Sequence, residues 1–326
     1  MELSNKETND INNLNEQNNN SSEHENNINK DNNNNNESKL DDVVKDFLKN
    51  NTVKLIILSF TDNNNVTTTF NQSMIQLAVN FTKLEIPFEL IVLKNESNRD
   101  RGINSIVAKM LADDFTHILI VDQSITFQWQ NVLKLIIRDY DVSGGCTLDK
   151  IINWKKIFET YNKEIQKINE QKVNKNESNQ KKNNLDISHI LAKTYNYDLV
   201  PFIDSENGQE NIEQENGFLR VTKLSNNFMM IKRNVFETIS QKFETIRYQN
   251  TKTQYDTHPN IRDNFFSFFE YKKDLTSNIY MSSYETFCKR WSDCGGKIWV
   301  DLHCNLNITG EFIHKGAVIL SIENNS

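Results

Sequence analysis

The sequence predicts an α/β fold, with a mostly parallel, doubly wound sheet flanked by helices. From residue 53 onward, short apolar runs rich in β-branched residues alternate with segments whose apolar residues recur at helical spacing. The first apolar run is Val53–Ser59, and a helix is predicted over 67–84. Because strands that alternate with helices pair in parallel through helical crossovers, this order favours an open parallel sheet.

The same alternation continues to residue 145. Pro87 precedes the second apolar run, and the third run, His117–Val121, has five consecutive residues typical of a buried strand. The fourth strand ends at a Gly-Gly turn. The predicted elements in this part are a strand at 88–93, a helix at 102–112, a strand at 117–121, a helix at 128–138 and a strand at 140–145.

The second half of the chain has a weaker pattern. Apolar residues between 151 and 168 line one stripe of a predicted long helix, and the polar run 169–186 is predicted to be an exposed insertion. Gly295-Gly296 predicts the end of the last helix. The other predicted elements are strands at 197–203, 218–224, 228–231 and 297–301, with helices at 234–243 and 283–293.

Residues 1–40 differ in composition from the rest of the chain. They contain mainly Asn, Glu, Lys, Asp and Ser, so they have too few large apolar side chains to offset the entropy of ordering. We therefore predict a disordered tail over 1–40, a folded domain over 41–316 and a C-terminal tail over 317–326. Within the domain, 53–150 and 187–316 form two halves, separated by the insertion at 169–186.

Charge and composition exclude several classes of protein. The net charge is −7, and the acids are concentrated near the N-terminus, so the folded part is close to neutral and no nucleic-acid-binding surface is predicted. The sequence contains no recognisable signal peptide and no apolar stretch long enough to span a membrane, which predicts a cytoplasmic protein. The four cysteines lack C-x-x-C spacing and are predicted to be buried thiols.

Asp122 is the first candidate site residue, because it directly follows the buried run 117–121. Ligands bind at the carboxyl ends of strands in open parallel sheets, and metal ions there are held by carboxylates. Gln123 and Ser124 supply no second charge, so a loop-capping role is the expected one. Asp301 and His303 lie two apart at another strand end and could form a metal shell with His314, although ordinary loop roles are expected.

Several segments, in order, resemble a family of sugar-nucleotide glycosyltransferases with the GT-A fold, of the type common in phages and large DNA viruses. The resemblance covers most of residues 53–316. It implies a nucleotide-sugar-binding half, an acceptor-binding half and a divalent metal held by a D-x-D pair. The matching segments are RGINSIVAKMLADDFTHILIVD, DVSGGCTLDKIINWKKI, FMMIKRNVFE, YETFCKRWSDCGGKIWVD and NLNITGEFIHKG.

The resemblance implies roles for individual residues. Arg101, Asn104, Asp122 and Lys150 would contact the donor. The acid of the family falls at Tyr284, so the neighbouring Glu285 is the candidate catalytic residue. Mn²⁺ or Mg²⁺ would be held by Asp122, with His303 as the other metal candidate. Trp154 and Trp299 could stack on a sugar or base, although core packing is the expected role of both.

Five departures from the family pattern fall on charged positions. They remove a donor-binding arginine, a metal carboxylate, the usual basic pair after Gly-Gly, the expected acid and the terminal metal histidine. The residues at those positions are Ile103, Ser124, Asp149 with its neighbours, Tyr284 and Ile308. A branched alkane cannot replace a bidentate guanidinium, and a single carboxylate leaves a metal under-liganded.

These departures predict a glycosyltransferase-like pseudoenzyme with a binding or scaffolding role. The alternative is an active glycosyltransferase that is metal-independent or uses a rearranged metal site. The expected partners are a nucleotide-sugar and a glycan or protein acceptor if the chain is active, and a paralogous glycosyltransferase if it is a scaffold. For a virus-encoded chain, the expected location is the host cytoplasm or the virion.

Overall fold

The computed structural model describes residues 43–61, 65–148, 151–174, 187–204, 211–250 and 259–310. The predicted tails at 1–40 and 317–326 lie outside these residues, as does most of the predicted insertion, 175–186. The helix that precedes the insertion continues through Asn174, six residues past the predicted end. No helix in these ranges is long and apolar enough to cross a membrane.

The helices and strands follow the predicted alternation. The helices are α1 (43–50), α2 (Thr68–Lys83), α3 (Arg99–Ala112), α4 (Trp129–Arg138), α5 (Trp154–Asn174), α6 (Ile187–Thr194), α7 (Arg233–Lys242) and α8 (Ser283–Asp293). The longer strands are β1 (Leu55–Thr61), β2 (Phe88–Lys94), β3 (His117–Val121), β5 (Val142–Gly145), β9 (Phe218–Val221), β10 (Phe228–Lys232) and β13 (Ile298–Asp301). The two-residue strands are β4 (Ile125–Thr126), β6 (Ile203–Asp204), β7 (Asn211–Ile212), β8 (Gln214–Glu215), β11 (Lys272–Lys273), β12 (Tyr280–Met281) and β14 (Asn307–Ile308).

An eight-stranded sheet forms the centre of the fold, in the order β2-β1-β3-β10-β5-β13-β9-β8. The predicted α/β class and mostly parallel sheet are confirmed. β10 lies antiparallel between β3 and β5, and β9 lies antiparallel between β13 and β8. β10 begins beside the carboxyl ends of β3 and β5. Residues that precede β10 therefore lie next to residues that follow β3 and β5.

Helices cover both faces of the sheet. Because strand side chains alternate, Ile56 and Leu58 of β1 pack on one face, whereas Leu55 and Ile57 pack on the other. The first face carries apolar residues of α3, α7 and α8, and the second carries those of α2 and α4. On α2 these residues are Phe70, Met74, Leu77 and Phe81, as the helical spacing predicts.

Two boundaries differ from the prediction for identifiable reasons. The helix predicted at 102–112 begins at Arg99, because the Asn98 side chain caps it by accepting from the Arg101 backbone N–H at 3.0 Å. The strand predicted at 197–203 is reduced to two isolated bridges and the short β6. Pro201 lies within that run and has no N–H to donate to a sheet.

Candidate functional site

A pocket of about 730 Å³ opens at the carboxyl ends of the parallel strands. It is lined by residues that follow β2 and β5, precede β10 and begin α8. This edge is where open α/β sheets bind ligands. Its charged and aromatic lining residues are Arg99, Asp100, Asp198, Tyr271 and Tyr284, among Asn, Ser and Thr side chains.

Asp122 directly follows β3, and its carboxylate is already bound by groups of the protein. Oδ2 accepts from the Arg99 guanidinium at 2.8 Å, and Oδ1 accepts from the backbone N–H and hydroxyl of Ser124 at 2.9 and 2.7 Å. Burial alone would raise the pKa of Asp122, but the Ser124 hydrogen bonds and the Arg99 charge outweigh it and lower that pKa. The carboxylate is therefore ionised at neutral pH and paired with an internal cation.

The donors around Asp122 do not fit a divalent cation. Mn²⁺ and Mg²⁺ take several oxygen ligands, including one or more carboxylates, and the Arg99 guanidinium beside Asp122 repels them. Ser124 offers a hydroxyl where a second carboxylate would be needed. In the described ranges, no group of three or more His, Cys, Asp or Glu side chains is placed to hold a metal ion.

At the second predicted metal position, Asp301 is bound to another side chain in the core. Asp301 accepts from the Lys134 ammonium at 2.8 Å, and both side chains are fully buried. The backbone N–H of His303 donates to the same Asp301 oxygen at 3.0 Å. The charge of Asp301 is thus compensated by Lys134 inside the protein. His314 and the predicted donor-binding Lys150 lie outside the described residues.

The predicted donor-binding residues of α3 contact the protein itself. Arg101 pairs with the buried carboxylate of Glu96. The Asn104 amide donates to the carbonyl of Phe269 at 2.9 Å and accepts from its backbone N–H at 3.0 Å. Ile103, aligned with a donor-contacting arginine of the resembled family, is only 1% exposed and packs in the core. None of these side chains lines the pocket; the residues at the start of α3 do so instead.

Glu285 caps α8. Its carboxylate accepts from the backbone N–H and hydroxyl of Ser282 at 2.9 and 2.8 Å, and it pairs with Lys223 at 2.9 Å. Burial would raise the pKa of Glu285, but the Ser282 and Lys223 contacts outweigh it and lower that pKa. Tyr284, rather than Glu285, lines the pocket at this helix start.

Two pocket carboxylates were not predicted from the sequence. Burial raises the pKa of Asp100, and the Ser283 hydrogen bond and the Arg99 charge offset only part of this rise. Asp198 accepts from the Tyr284 hydroxyl at 2.9 Å and pairs with Lys223 at 3.1 Å. The sequence signal for Asp100 was Asn98, a residue type that often caps the start of a helix. A helix that starts there has Asp100 in its first turn, at the carboxyl ends of the strands.

An aromatic pair lies at the rim of the pocket. Tyr271 lines the pocket, and its ring stacks on that of Tyr280 with centroids 6.0 Å apart and an interplanar angle of 21°. Both rings are exposed. Stacked, exposed tyrosines beside polar groups suit a ligand with an apolar face and hydroxyl edges.

Comparisons with known proteins add no relative. No protein-family model matches the chain, and a search of curated proteins gives no match.

Proposed function

We propose that this chain is a glycosyltransferase-like protein of the GT-A type that binds a neutral carbohydrate in the strand-edge pocket without metal-dependent sugar transfer. The observation that supports this most strongly is the Arg99–Asp122 ion pair, completed by Ser124. The Arg99 guanidinium is bound to the carboxylate that the resemblance assigns to the metal. The mostly parallel sheet and its ligand-binding edge are consistent with the resemblance.

The charges of the pocket favour a neutral ligand over a nucleoside diphosphate. Arg99 is the one basic side chain among the described lining residues, and Asp122 already pairs with it. Asp100 places a further carboxyl group on the same pocket, and an ionised carboxylate repels phosphate, whereas Asp198 is paired with Lys223. A diphosphate would therefore meet too little positive charge.

The other lining groups match the hydroxyls and ring face of a sugar. Carboxylates accept hydrogen bonds from hydroxyl groups, and the amides, hydroxyls and Tyr284 phenol can donate or accept. The Tyr271–Tyr280 pair offers a flat apolar surface at the rim. This combination of a few polar groups and an aromatic wall is typical of small-molecule sites.

Calorimetry of the full chain with a panel of neutral mono- and oligosaccharides tests the proposal. At least one saccharide is expected to bind, and Asp100→Asn should weaken it about tenfold or more, because a hydrogen bond to a charged group contributes about 1.5–3 kcal/mol. Asp263→Asn, at an exposed acid outside the pocket, is the matched control and should leave binding unchanged. A panel without any binder, or equal weakening by both variants, would contradict the proposal.

A metal-independent transferase is the second candidate, favoured by the neighbouring Arg99 and Asp100. In that reaction Arg99 would stabilise the leaving diphosphate, and Asp100 would accept a proton from the acceptor hydroxyl, next to the position where the resembled family has its acid. Product formation from nucleotide-sugars and saccharides in EDTA tests it. Turnover abolished by Asp100→Asn would establish this second candidate over the first.

A further inference from the structure

Helix α5 exposes a stripe of aromatic side chains. Trp154, Phe158 and Tyr161 are 52%, 63% and 40% exposed. Their spacing of four and three residues places them on one face of the helix. Ile151, just before the helix, is also exposed. The long helix predicted from this pattern is present, but the core role expected for Trp154 is wrong: its apolar stripe points largely to solvent.

α5 is attached to the protein through another side. Lys193 of α6 pairs with Glu164 at 3.2 Å, and Lys156 lies 3.5 Å from the Asn196 side-chain oxygen. On a helical wheel, Glu164 and Lys156 lie about 80° and 160° from Trp154, at 100° per residue. The contacts to Lys193 and Asn196 therefore leave the aromatic stripe facing outward.

Basic residues accompany the stripe. Between residues 151 and 167 the chain has four lysines and two glutamates, although the protein as a whole carries a net charge of −7. Glu164 is bound by both Lys167 and Lys193. On the helical wheel the four lysines lie about 100–180° from Trp154, so they belong to the polar face of α5, where Lys155 and Lys163 are exposed.

We propose that α5 docks on the surface of an anionic lipid bilayer, with Trp154, Phe158 and Tyr161 inserted at the headgroup level. A helix with an aromatic face and lysines on its polar face is the form that lies in a membrane interface rather than crossing it. Tryptophan and tyrosine are favoured there because their rings are amphipathic.

The aromatic residues and the lysines make separate contributions to the affinity of α5 for the bilayer. Inserting one large apolar side chain contributes about tenfold or more in affinity, from about 1.5–3 kcal/mol on full burial. Each lysine near an anionic surface contributes about fivefold, from about 1 kcal/mol. Both are needed for stable attachment, so the helix should bind vesicles that contain anionic lipid and bind poorly to neutral ones.

Flotation of the full chain with vesicles tests the docking. Binding is expected to phosphatidylcholine vesicles that contain phosphatidylserine, and to fall as salt rises. Trp154→Ser with Phe158→Ser should lose at least tenfold, and Lys155→Glu with Lys163→Glu should lose binding to the anionic vesicles. Leu275→Ser with Ile279→Ser, at two exposed apolar residues of the β11–β12 hairpin, is the control and should bind like the parent.

Tryptophan fluorescence identifies the inserted face. Trp154 is the most exposed of the four tryptophans, and Trp291 and Trp299 are buried. Anionic vesicles should shift the emission of the parent to the blue, whereas Trp154→Phe should still bind but lose the shift. No binding to anionic vesicles, binding that ignores the stripe, or a blue shift that survives in Trp154→Phe would overturn the proposal. A dimer in solution that Phe158→Ser dissociates would also overturn it, in favour of a second copy as occupant.

Discussion

The Lys134–Asp301 ion pair lies in the core at the end of β13, where the lysine compensates the charge of a buried carboxylate. Removing one partner leaves an uncompensated buried charge, which costs about 3–5 kcal/mol. We expect Lys134→Met to lower the free energy of unfolding by about that amount, measured by urea denaturation. Lys289→Met, which removes a half-exposed pair with Asp293, should cost less than about 1 kcal/mol.

A double variant checks the cause of that loss. Lys134→Met with Asp301→Asn removes both charges and keeps the carbonyl oxygen that accepts from His303, so it should be more stable than Lys134→Met alone. A single variant as stable as the parent, or a double variant with additive losses, would show that the pair does not act as a unit.

His117 gives the folded state a pH dependence. Burial, with repulsion by Lys232, lowers the pKa of His117 from 6.5 to about 4, and Asp139 opposes this only weakly. Between pH 6.5 and 4 the unfolded chain therefore binds a proton that the folded chain does not, so stability falls as the pH falls. The contribution from this group is roughly 3 kcal/mol.

Urea denaturation at several pH values measures this effect. The parent should lose stability from pH 6.5 towards pH 4, and His117→Gln should show a shallower slope in the same window, since glutamine does not titrate. Identical slopes in the two proteins would mean that the acid sensitivity comes from other groups.

The position of Asp122 was predictable from the sequence, but its partner was not. A buried apolar run that ends in an acid indicates a carboxylate at a strand end. Arg99 lies 23 residues away in sequence, on a helix whose start the apolar periodicity did not reveal. Asn104 and Glu285 were assigned to ligand contacts through the resemblance. The sequence does not show the Phe269 backbone or the Ser282 cap that engages them.

At the scale of the elements, the α8–β13 junction depends on two glycines with different requirements. Gly295 has φ +86° with open space around it, whereas a Cβ on Gly296 would lie 1.9 Å from the Trp291 ring. Gly295→Ala should cost about 1–2 kcal/mol through backbone strain. Gly296→Ala should cost more and should change the Trp291 fluorescence, because the ring must move.

Thermal unfolding and emission spectra of the two variants test this assignment. A larger loss for Gly295→Ala, or an unchanged Trp291 environment in Gly296→Ala, would contradict it. The comparison is well controlled because the two sites are adjacent and receive the same methyl group.

Elements with strong periodicity were predictable, and elements with weak periodicity were not. The apolar spacing of α2 and the five-residue run of β3 were sufficient because their burial is regular. α1 and α6 were missed because each is only eight residues long, and the pairing of β10 between β3 and β5 depends on contacts distant in sequence. Local patterns identify such strands but do not give their order or direction.

For the whole molecule, we predict that residues 1–40 are not needed for folding, whereas α1 is. Val44 of α1 is buried with Val53 in the core, whereas the composition of residues 1–40 cannot support a core. Deleting 1–40 should leave the thermal midpoint unchanged, and deleting 1–50 should lower it. The prediction fails if the shorter deletion already destabilises the protein.

The central claim, that Arg99 and Ser124 replace a metal at Asp122, is tested most directly by calorimetry with uridine diphosphate, with and without Mn²⁺. The parent should show no Mn²⁺-dependent binding. Arg99→Ala with Ser124→Asp, which removes the internal cation and adds a carboxylate, should recover it, and each single variant should recover little because the metal needs both changes. Mn²⁺-dependent binding in the parent that Asp122→Asn abolishes would contradict the account.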